Sequence, residues 1–201
     1  MKKILTALLA VLLCASCGKK APEVSLDPNY KQEDPSLIHH AEITVKDMGV
    51  IKVELDAGAA PITVANFIKL AESGFYNGLT FHRAVADFMI QGGDPKGNGT
   101  GGAEEMIKGE FAANDVDNPI SHLKGVVSMA RRSMDYDSAS SQFFIMVADY
   151  TSLDGQYAAF GHVTEGLEIA EKIAKEAQPI DRNGSLAPDE QPVIESIQIT
   201  D

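Results

Sequence analysis

The chain of 201 residues has little of several residue types, and each scarcity excludes a class of protein. Its only two cysteines are Cys14 and Cys17, so residues 18–201 contain neither a disulfide framework nor a thiolate metal site. Basic residues are also few, because 17 Lys and Arg stand against 29 Asp and Glu, a formal net charge of −12. This acidity argues against a nucleic-acid binder and against binding to anionic lipid through charge.

What the chain does contain is typical of one globular domain. Hydrophobic residues make up 44% of the sequence and charged residues 23%, an ordinary mix with enough apolar material for one core. The length favours one domain over two full domains. We find no internal repeat.

The first residues predict an export signal. Lys2 and Lys3 precede an apolar run, Ile4–Leu13, which is too short to span a bilayer and suits the centre of a secretory signal peptide. Ala15-Ser16 before Cys17 resembles the lipobox of bacterial lipoproteins, in which the signal is cut before the Cys and the thiol carries a diacylglycerol. Cys14 stands where that family usually has Leu, and plain secretion with an incidental Cys is the alternative.

We therefore expect a signal peptide over 1–16, and a lipidated Cys17 with a flexible tether over 17–38. The tether mixes charge, Pro and turn-forming residues without apolar periodicity. As a coil of some 20 residues it would span roughly 25 Å. The protein would be exported to a bacterial cell envelope and held on a membrane, periplasmic or surface side, by its lipid.

Residues 39–201 predict a folded domain of mainly β structure. Alternating residues over 41–45 and 51–55 flank a turn with Gly49, which indicates an antiparallel hairpin. Helices are expected from Pro61 to a stop at Gly74, and from about Glu165 to Ala177. Many short strands with two helices favour an antiparallel barrel or sandwich flanked by helices. The further expected strands are Phe88–Gln91, Gly125–Ala130, Gln142–Val147, Ala158–Val163 and a last strand with Val193, Ile197 and Ile199 on one face.

Three common kinds of functional site find no support. The run 97–102 matches G-x-G-x-x-G, but a dinucleotide site needs a strand before it and a helix after it, and Asp94-Pro95-Lys96 precedes this one. We expect a surface loop there. The five histidines show no metal-ligand spacing, and no nucleophile elbow of the G-x-S-x-G type occurs.

The stretch 81–94 carries the functional signal. It places Arg83 and Gln91 around the apolar run Phe88-Met89-Ile90, which indicates either a polar-rimmed apolar pocket or a strand with one Arg that extends to solvent. The stretch closely resembles the signature of the cyclophilins, a family of peptidyl-prolyl cis–trans isomerases. The resemblance covers roughly residues 40–200 and continues, in the family's order, through 97–102, 125–130, 141–145, 153–155 and 160–163.

The resemblance implies an eight-stranded antiparallel β-barrel capped by two α-helices, and an isomerase that rotates X–Pro peptide bonds without metal or cofactor. Its partners would be proline-containing polypeptides. We expect the protein to be a monomer and to assist the folding of exported proteins. By family match, Arg83 and Gln91 are catalytic. The substrate-binding residues implied in the same way are Phe88, Met89, Ala130, Gln142, Phe144, Leu153, Tyr157, Gly99, Thr100 and Gly101.

Some positions depart from the family pattern. Tyr157 stands where many members have His, and Arg131-Arg132 follows Ala130 where Asn-Ala is frequent. Two cations beside the groove would favour acidic residues before the proline, and a merely solvated pair is the equal alternative. A proline-binding chaperone or adaptor with little turnover is the alternative function, and the set Arg83, Phe88, Gln91 and Phe144 favours catalysis over it.

Overall fold

A computed structural model describes residues 34–201 of the chain, which form one curved antiparallel sheet with two helices. The predicted signal peptide, Cys17 and most of the tether lie outside these residues. The strands and helices, in chain order, are β1 (Ile38–Val45), β2 (Gly49–Asp56), α1 (Pro61–Glu72), β3 (Phe81–Val85), β4 (Met89–Gly92), β5 (Val126–Met129), β6 (Phe143–Met146), β7 (Ala159–Glu165), α2 (Leu167–Glu176) and β8 (Ile194–Ile199).

The sheet curls until its two edge strands meet. Its eight strands follow the order β3-β4-β6-β5-β7-β2-β1-β8, and every neighbouring pair is antiparallel. The segments before β3 and β8 join through a bridge between Thr80 and Val193. There the Phe81 N–H donates to the Pro192 carbonyl (2.9 Å) and the Ile194 N–H to that of Leu79 (2.7 Å). The expected mainly β barrel with two helices is confirmed.

The core fills the inside of this sheet and the inner faces of both helices. Phe67 of α1 is 1% exposed, and its ring lies 5.2 Å from Tyr76, 5.5 Å from Phe143 and 5.2 Å from Phe160, centre to centre. From α2, Ile169 and Ile173 join the same cluster. Because this core fixes β6, it also fixes the strand that carries Phe144.

The hairpin β1–β2 and helix α1 are confirmed, with Gly74 just past the helix end at φ +72°. Helix α2 begins later than expected, because strand β7 extends to Glu165. Gly166, at φ +81°, then separates the strand from the helix. β3 is the strand with Arg83 that one interpretation of the 81–94 stretch allowed, although it was not among the strands expected from the apolar runs. The expected common face of Val193, Ile197 and Ile199 is wrong: Ile194, not Val193, is buried with Ile197.

That error has a local cause, a bulge in the last strand. Thr44 pairs with Ser196, whereas Val45 pairs with Ile194, so the register shifts and Glu195 is skipped. A bulge adds one residue and reverses the alternation beyond it.

Within residues 34–201, no helix has the length and apolarity needed to cross a membrane. The same part of the chain holds no cluster of three or more His, Cys, Asp or Glu arranged for a metal ion.

Candidate active site

Two strand pairings bring the key polar and apolar side chains together. Arg83 of β3 lies opposite Gln91 of β4, and Gln91 lies opposite Phe144 of β6. Residues opposite one another in antiparallel strands project from the same face of the sheet. A guanidinium, an amide and an aromatic ring therefore stand side by side across three strands.

Arg83 is held from two directions. Its Nε donates to the carbonyl of Asn183 at 2.5 Å, and its Nη1 donates to Gln91 Oε1 at 3.0 Å. Nη1 also lies 3.8 Å from the sulfur of Met89. Burial lowers the pKa of Arg83 below its ordinary value, but an arginine starts so far above neutral pH that it remains charged. The site thus presents a fixed, charged donor in a half-buried position.

A chain of amide hydrogen bonds extends this support. Gln91 Nε2 donates to Gln142 Oε1 at 2.9 Å, and Gln142 Nε2 donates to the carbonyl of Gly101 at 2.7 Å. Arg83 is therefore linked through two glutamines to the glycine-rich loop 97–102. Because each amide both accepts and donates, neither glutamine can turn without breaking a bond at each end.

Beside Arg83 lies a cavity of about 200 Å³, which we call the proline pocket after the ring that the family resemblance predicts it to hold. Met89 and Phe144 are nearly fully buried in its floor, at 1% and 5% exposure. The Tyr157 ring stands edge-on to Phe144, with 5.8 Å between centres, and forms a wall. The pocket is lined by Arg83, Phe88, Met89, Gln91, Ala130, Arg131, Phe144, Leu153 and Tyr157.

A buried polar cluster holds the far side of the proline pocket. Asp154 accepts from the His122 N–H (2.6 Å), from His122 Nδ1 (2.8 Å) and from the Ser121 hydroxyl (2.6 Å). Because Nδ1 donates to the carboxylate, Nε2 accepts, and Ser128 Oγ lies 3.0 Å from it. The His122 ring stacks 6.1 Å from Phe144. The cluster therefore fixes both the pocket floor and the turn that carries Leu153.

A second cavity, of about 490 Å³, adjoins the first, and we call it the adjoining pocket. Gln91, Ala130 and Arg131 line both cavities. The glycine-rich loop forms one wall of the adjoining pocket, and its remaining lining residues are Gly99, Thr100, Gly101, Gly102, Ala103, Met106, Arg132, Ser138, Ser140 and Gln142.

The buried carboxylate of Asp94 shapes the glycine-rich loop. It accepts from the backbone N–H groups of Lys96 (2.8 Å), Asn98 (3.1 Å) and Gly99 (2.6 Å). Burial opposes ionisation, but these hydrogen bonds prevail and hold the pKa of Asp94 below its ordinary value. A Cβ at Gly101 would lie 2.0 Å from Asp94 Oδ1, so that close approach requires glycine. No helix begins at this loop, as a dinucleotide site would need.

The chain is similar to cyclophilins in both sequence and fold. The family model described as "Cyclophilin type peptidyl-prolyl cis-trans isomerase/CLD" matches residues 40–200. A peptidyl-prolyl cis-trans isomerase of Helicobacter pylori is 43% identical over 153 residues, which cover 74% of this chain and 90% of that protein. Peptidyl-prolyl cis-trans isomerase B of Bacillus subtilis is 46% identical over 130 residues, covering 65% of this chain and 87% of the relative.

The chain belongs to the cyclophilin family. It is a peptidyl-prolyl cis–trans isomerase. Among solved structures, a Cryptosporidium parvum cyclophilin superposes with a TM-score of 0.70 at 27% identity, covering 82% of this chain and 98% of that one. The same protein in the presence of the dipeptide Ala-Pro gives a TM-score of 0.69 at 28% identity, covering 81% of this chain and 99% of the other.

The cyclophilin domain brings together every site residue predicted for it from the sequence. Those predicted around Arg83 line the proline pocket, and Gln142 with the glycine-rich loop lines the adjoining pocket. Their individual roles toward substrate stay predictions. Sequence reasoning missed the Asn183 carbonyl, because the turn-forming Asn183-Gly184 pair does not indicate which strand it lies beside. It also missed the cluster of His122, Asp154 and Ser128.

Two buried histidines predict that the cyclophilin domain is less stable in acid. Burial lowers the pKa of His82; the charge of Asp94 opposes this shift and the charge of Arg83 adds to it. Burial also lowers the pKa of His122, and the hydrogen bond and charge of Asp154 oppose that shift. The unfolded chain takes up these protons near pH ~6.5 and the folded chain only below that value, so protonation favours unfolding. The contribution of the two neutral histidines to the free energy of unfolding is fully present above that pH. It decreases as the pH drops below about 6.5 toward the folded-state pKa values.

We expect the free energy of unfolding, measured with urea, to fall between pH 7.5 and pH 5. His82 offers the simpler test, because neither of its ring nitrogens has a hydrogen-bond partner within residues 34–201. The variant His82→Phe should flatten part of this dependence. An unchanged slope in that variant would contradict the assignment to His82.

Proposed function

We propose that the protein binds an X–Pro segment with the proline ring in the proline pocket and the preceding residues along the adjoining pocket. Arg83 would donate to the carbonyl of the proline and Gln91 would hold Arg83 and contact the substrate backbone. The observation that carries this placement is that Arg83 lines the pocket with Nε and Nη1 engaged. Its Nη2 has no partner among residues 34–201, so a donor remains for the substrate.

The chemistry of the reaction suits such a site. Rotation about an X–Pro bond is opposed by a barrier of ~18–20 kcal/mol from amide resonance, and no covalent bond breaks. A catalyst must bind the twisted amide more tightly than either planar form. Twisting concentrates the lone pair on the proline nitrogen, and a charged donor that is already oriented stabilises the altered charge distribution. Arginine suits this task better than lysine because its planar fork fixes direction.

The substrate class is a polypeptide with an accessible proline. The Cryptosporidium parvum cyclophilin studied in the presence of Ala-Pro supports this class, because that protein shares the fold. In this chain Phe88, Met89, Phe144 and Leu153 give the proline pocket an apolar lining, and Arg83, Gln91 and Arg131 supply its polar groups. A proline ring matches that lining, because it is apolar and has no N–H that would need an acceptor.

The placement is tested by NMR on a short labelled Ala-Pro-containing peptide with the full chain. We expect exchange between the cis and trans proline signals to become fast, with contacts from the proline ring to the Met89 methyl and the Phe144 ring. Binding at those residues without faster exchange would indicate the adaptor alternative. Fast exchange with contacts elsewhere on the surface would overturn the placement.

We further propose that the protein is a monomeric lipoprotein of the bacterial cell envelope that assists the folding of exported proteins. The support lies in the sequence: an apolar Ile4–Leu13 run, small residues before Cys17, and a tether rich in Pro and charge over 17–38. A lipid on Cys17 and a tether of roughly 25 Å would keep the domain near newly exported chains.

The anchor is tested by replacing the acceptor of the lipid. In the native host, we expect Cys17→Ala to move the protein from the membrane fraction to the soluble fraction, since the lipid is the predicted attachment. Cys14→Leu serves as the matched control, because it removes the neighbouring thiol, places there the residue that the lipobox usually has, and should leave the membrane association intact. If Cys17→Ala and the unaltered protein fractionate alike, no lipid anchor exists at this position.

A further inference from the structure

Arg131 lies in an unusual environment between the two pockets. Its guanidinium carbon stands 4.8 Å from the ring centre of Tyr157, 4.8 Å from that of Tyr136 and 5.2 Å from that of Phe111. A cation within about 6 Å of an aromatic face is attracted by the negative charge of that face. Three such rings around one guanidinium form an aromatic cage.

The same guanidinium also fastens two backbone segments. Its Nε donates to the carbonyl of Gln156 at 2.9 Å. Its Nη1 donates to the carbonyls of Arg132 (2.9 Å) and Ser133 (3.1 Å). Residues 131–133 flank the adjoining pocket, and Gln156 directly precedes Tyr157, the wall of the proline pocket. The Arg131 side chain therefore links a wall of the proline pocket to a wall of the adjoining pocket.

Arg132 provides the contrast within the same segment. Its side chain is 63% exposed, and its Nη2 bonds the carboxylate of Asp135 at 2.9 Å and lies 3.1 Å from the sulfur of Met106. Its charge is thus already balanced by a neighbouring acid. Both arginines are engaged within the protein, so neither has the arrangement of a free cation that awaits an acidic substrate.

We propose that Arg131 is a positioning residue that fixes Tyr157 and the 131–133 backbone as the shared wall of the two pockets. This inference rests on the proposed binding of the X–Pro segment in those pockets. Tyr157 contacts the substrate in its planar and twisted forms alike, because it is a wall and not a donor to the rotating amide. Loosening it weakens both states equally, which raises KM and leaves kcat unchanged.

The test compares Arg131→Met and Arg131→Lys with the unaltered chain on an Ala-Pro peptide. We expect Arg131→Met to raise KM roughly tenfold, as loss of the cation–aromatic contacts predicts, with kcat within about twofold. Arg131→Lys should recover part of the loss, since an ammonium group still faces the rings but lacks the fork that binds three carbonyls. Lys46→Met, an exposed charge on the β1–β2 turn, is the control and should change neither constant.

A double-mutant cycle shows whether Arg131 acts through Tyr157. In a Tyr157→Leu background the ring is already lost, so Arg131→Met should raise KM much less than it does in the unaltered chain. An equal effect in both backgrounds overturns the inference. So does an Arg131→Met effect confined to Glu-Pro peptides and abolished by salt, because that result marks direct recognition of an acid.

The failure of this inference is distinguishable from failure of the proposed site. Arg83→Ala is assayed in parallel: full activity in that variant would overturn the placement of the substrate itself. A large loss in Arg83→Ala together with unchanged KM in Arg131→Met would leave the site standing and overturn only the role of Arg131. Thermal unfolding of each variant, followed by circular dichroism, identifies any loss that comes from global unfolding.

Discussion

Replacing Arg83 with alanine is expected to lower kcat/KM by about 100- to 1000-fold, the range found when one oriented donor to a reacting group is removed. The loss should fall mainly on kcat, because the proposed hydrogen bond strengthens only as the amide twists. The proline pocket keeps its apolar floor of Met89 and Phe144, so peptide binding should persist. Proline exchange by NMR measures the rate, and peptide titration measures the binding.

Two matched variants refine this result. Arg83→Lys keeps the charge but loses the bonds that Nε and Nη1 make to Asn183 and Gln91, so it should recover only a small part of the activity. Gln91→Leu leaves Arg83 in place with one support missing and should cost less than Arg83→Ala. If Arg83→Ala retained a tenth or more of the activity, another group would have to stabilise the twisted amide.

Replacing Phe67 with alanine is expected to destabilise the fold by about 3–5 kcal/mol, the usual cost of removing a buried phenylalanine. The ring lies between Tyr76, Phe143 and Phe160, all fully buried, and helix and strands cannot collapse into the space it leaves. For a domain of this size such a loss lowers the melting temperature by roughly 6–20 °C. Urea unfolding gives the free-energy difference directly.

The control lies on the same helix. Ile62 is 44% exposed, so Ile62→Ala should change the free energy of unfolding by less than about 0.5 kcal/mol. A small effect of Phe67→Ala, comparable with that of Ile62→Ala, would mean that the core rearranges around the missing ring. Because Phe143 precedes Phe144 in β6, such a rearrangement would also appear as altered peptide affinity.

Patterns local in sequence predicted the main elements of this fold. Strict alternation over 41–45 and 51–55, and the apolar spacing of Val64, Phe67 and Ala71, depend on neighbours along the chain and so appear in the sequence itself. The site residues were predicted through a family signature, which is also contiguous. The bulge at Glu195 was missed because it is set by pairing with Thr44 and Val45, about 150 positions away.

The supports of the site could not be predicted for the same reason. Asn183 reaches Arg83 through a carbonyl that every residue possesses, so its side chain gives no signal. Arg131 has a side chain that suggests either substrate recognition or solvation, and only the surrounding rings and carbonyls distinguish a third role. Such contacts depend on tertiary packing, which residue type alone does not specify.

The contact between Arg83 and Asn183, 100 positions apart, also makes the arrangement of the site depend on the last segment of the chain. Chains are synthesised from the N-terminus, so Arg83 and the other residues of the proline pocket emerge before residues 183–199. Until that last segment pairs with β1 and with the residues before β3, the guanidinium lacks one of its two supports and the sheet stays open. The arrangement of Arg83 described above is therefore complete only when the last strand has joined the sheet.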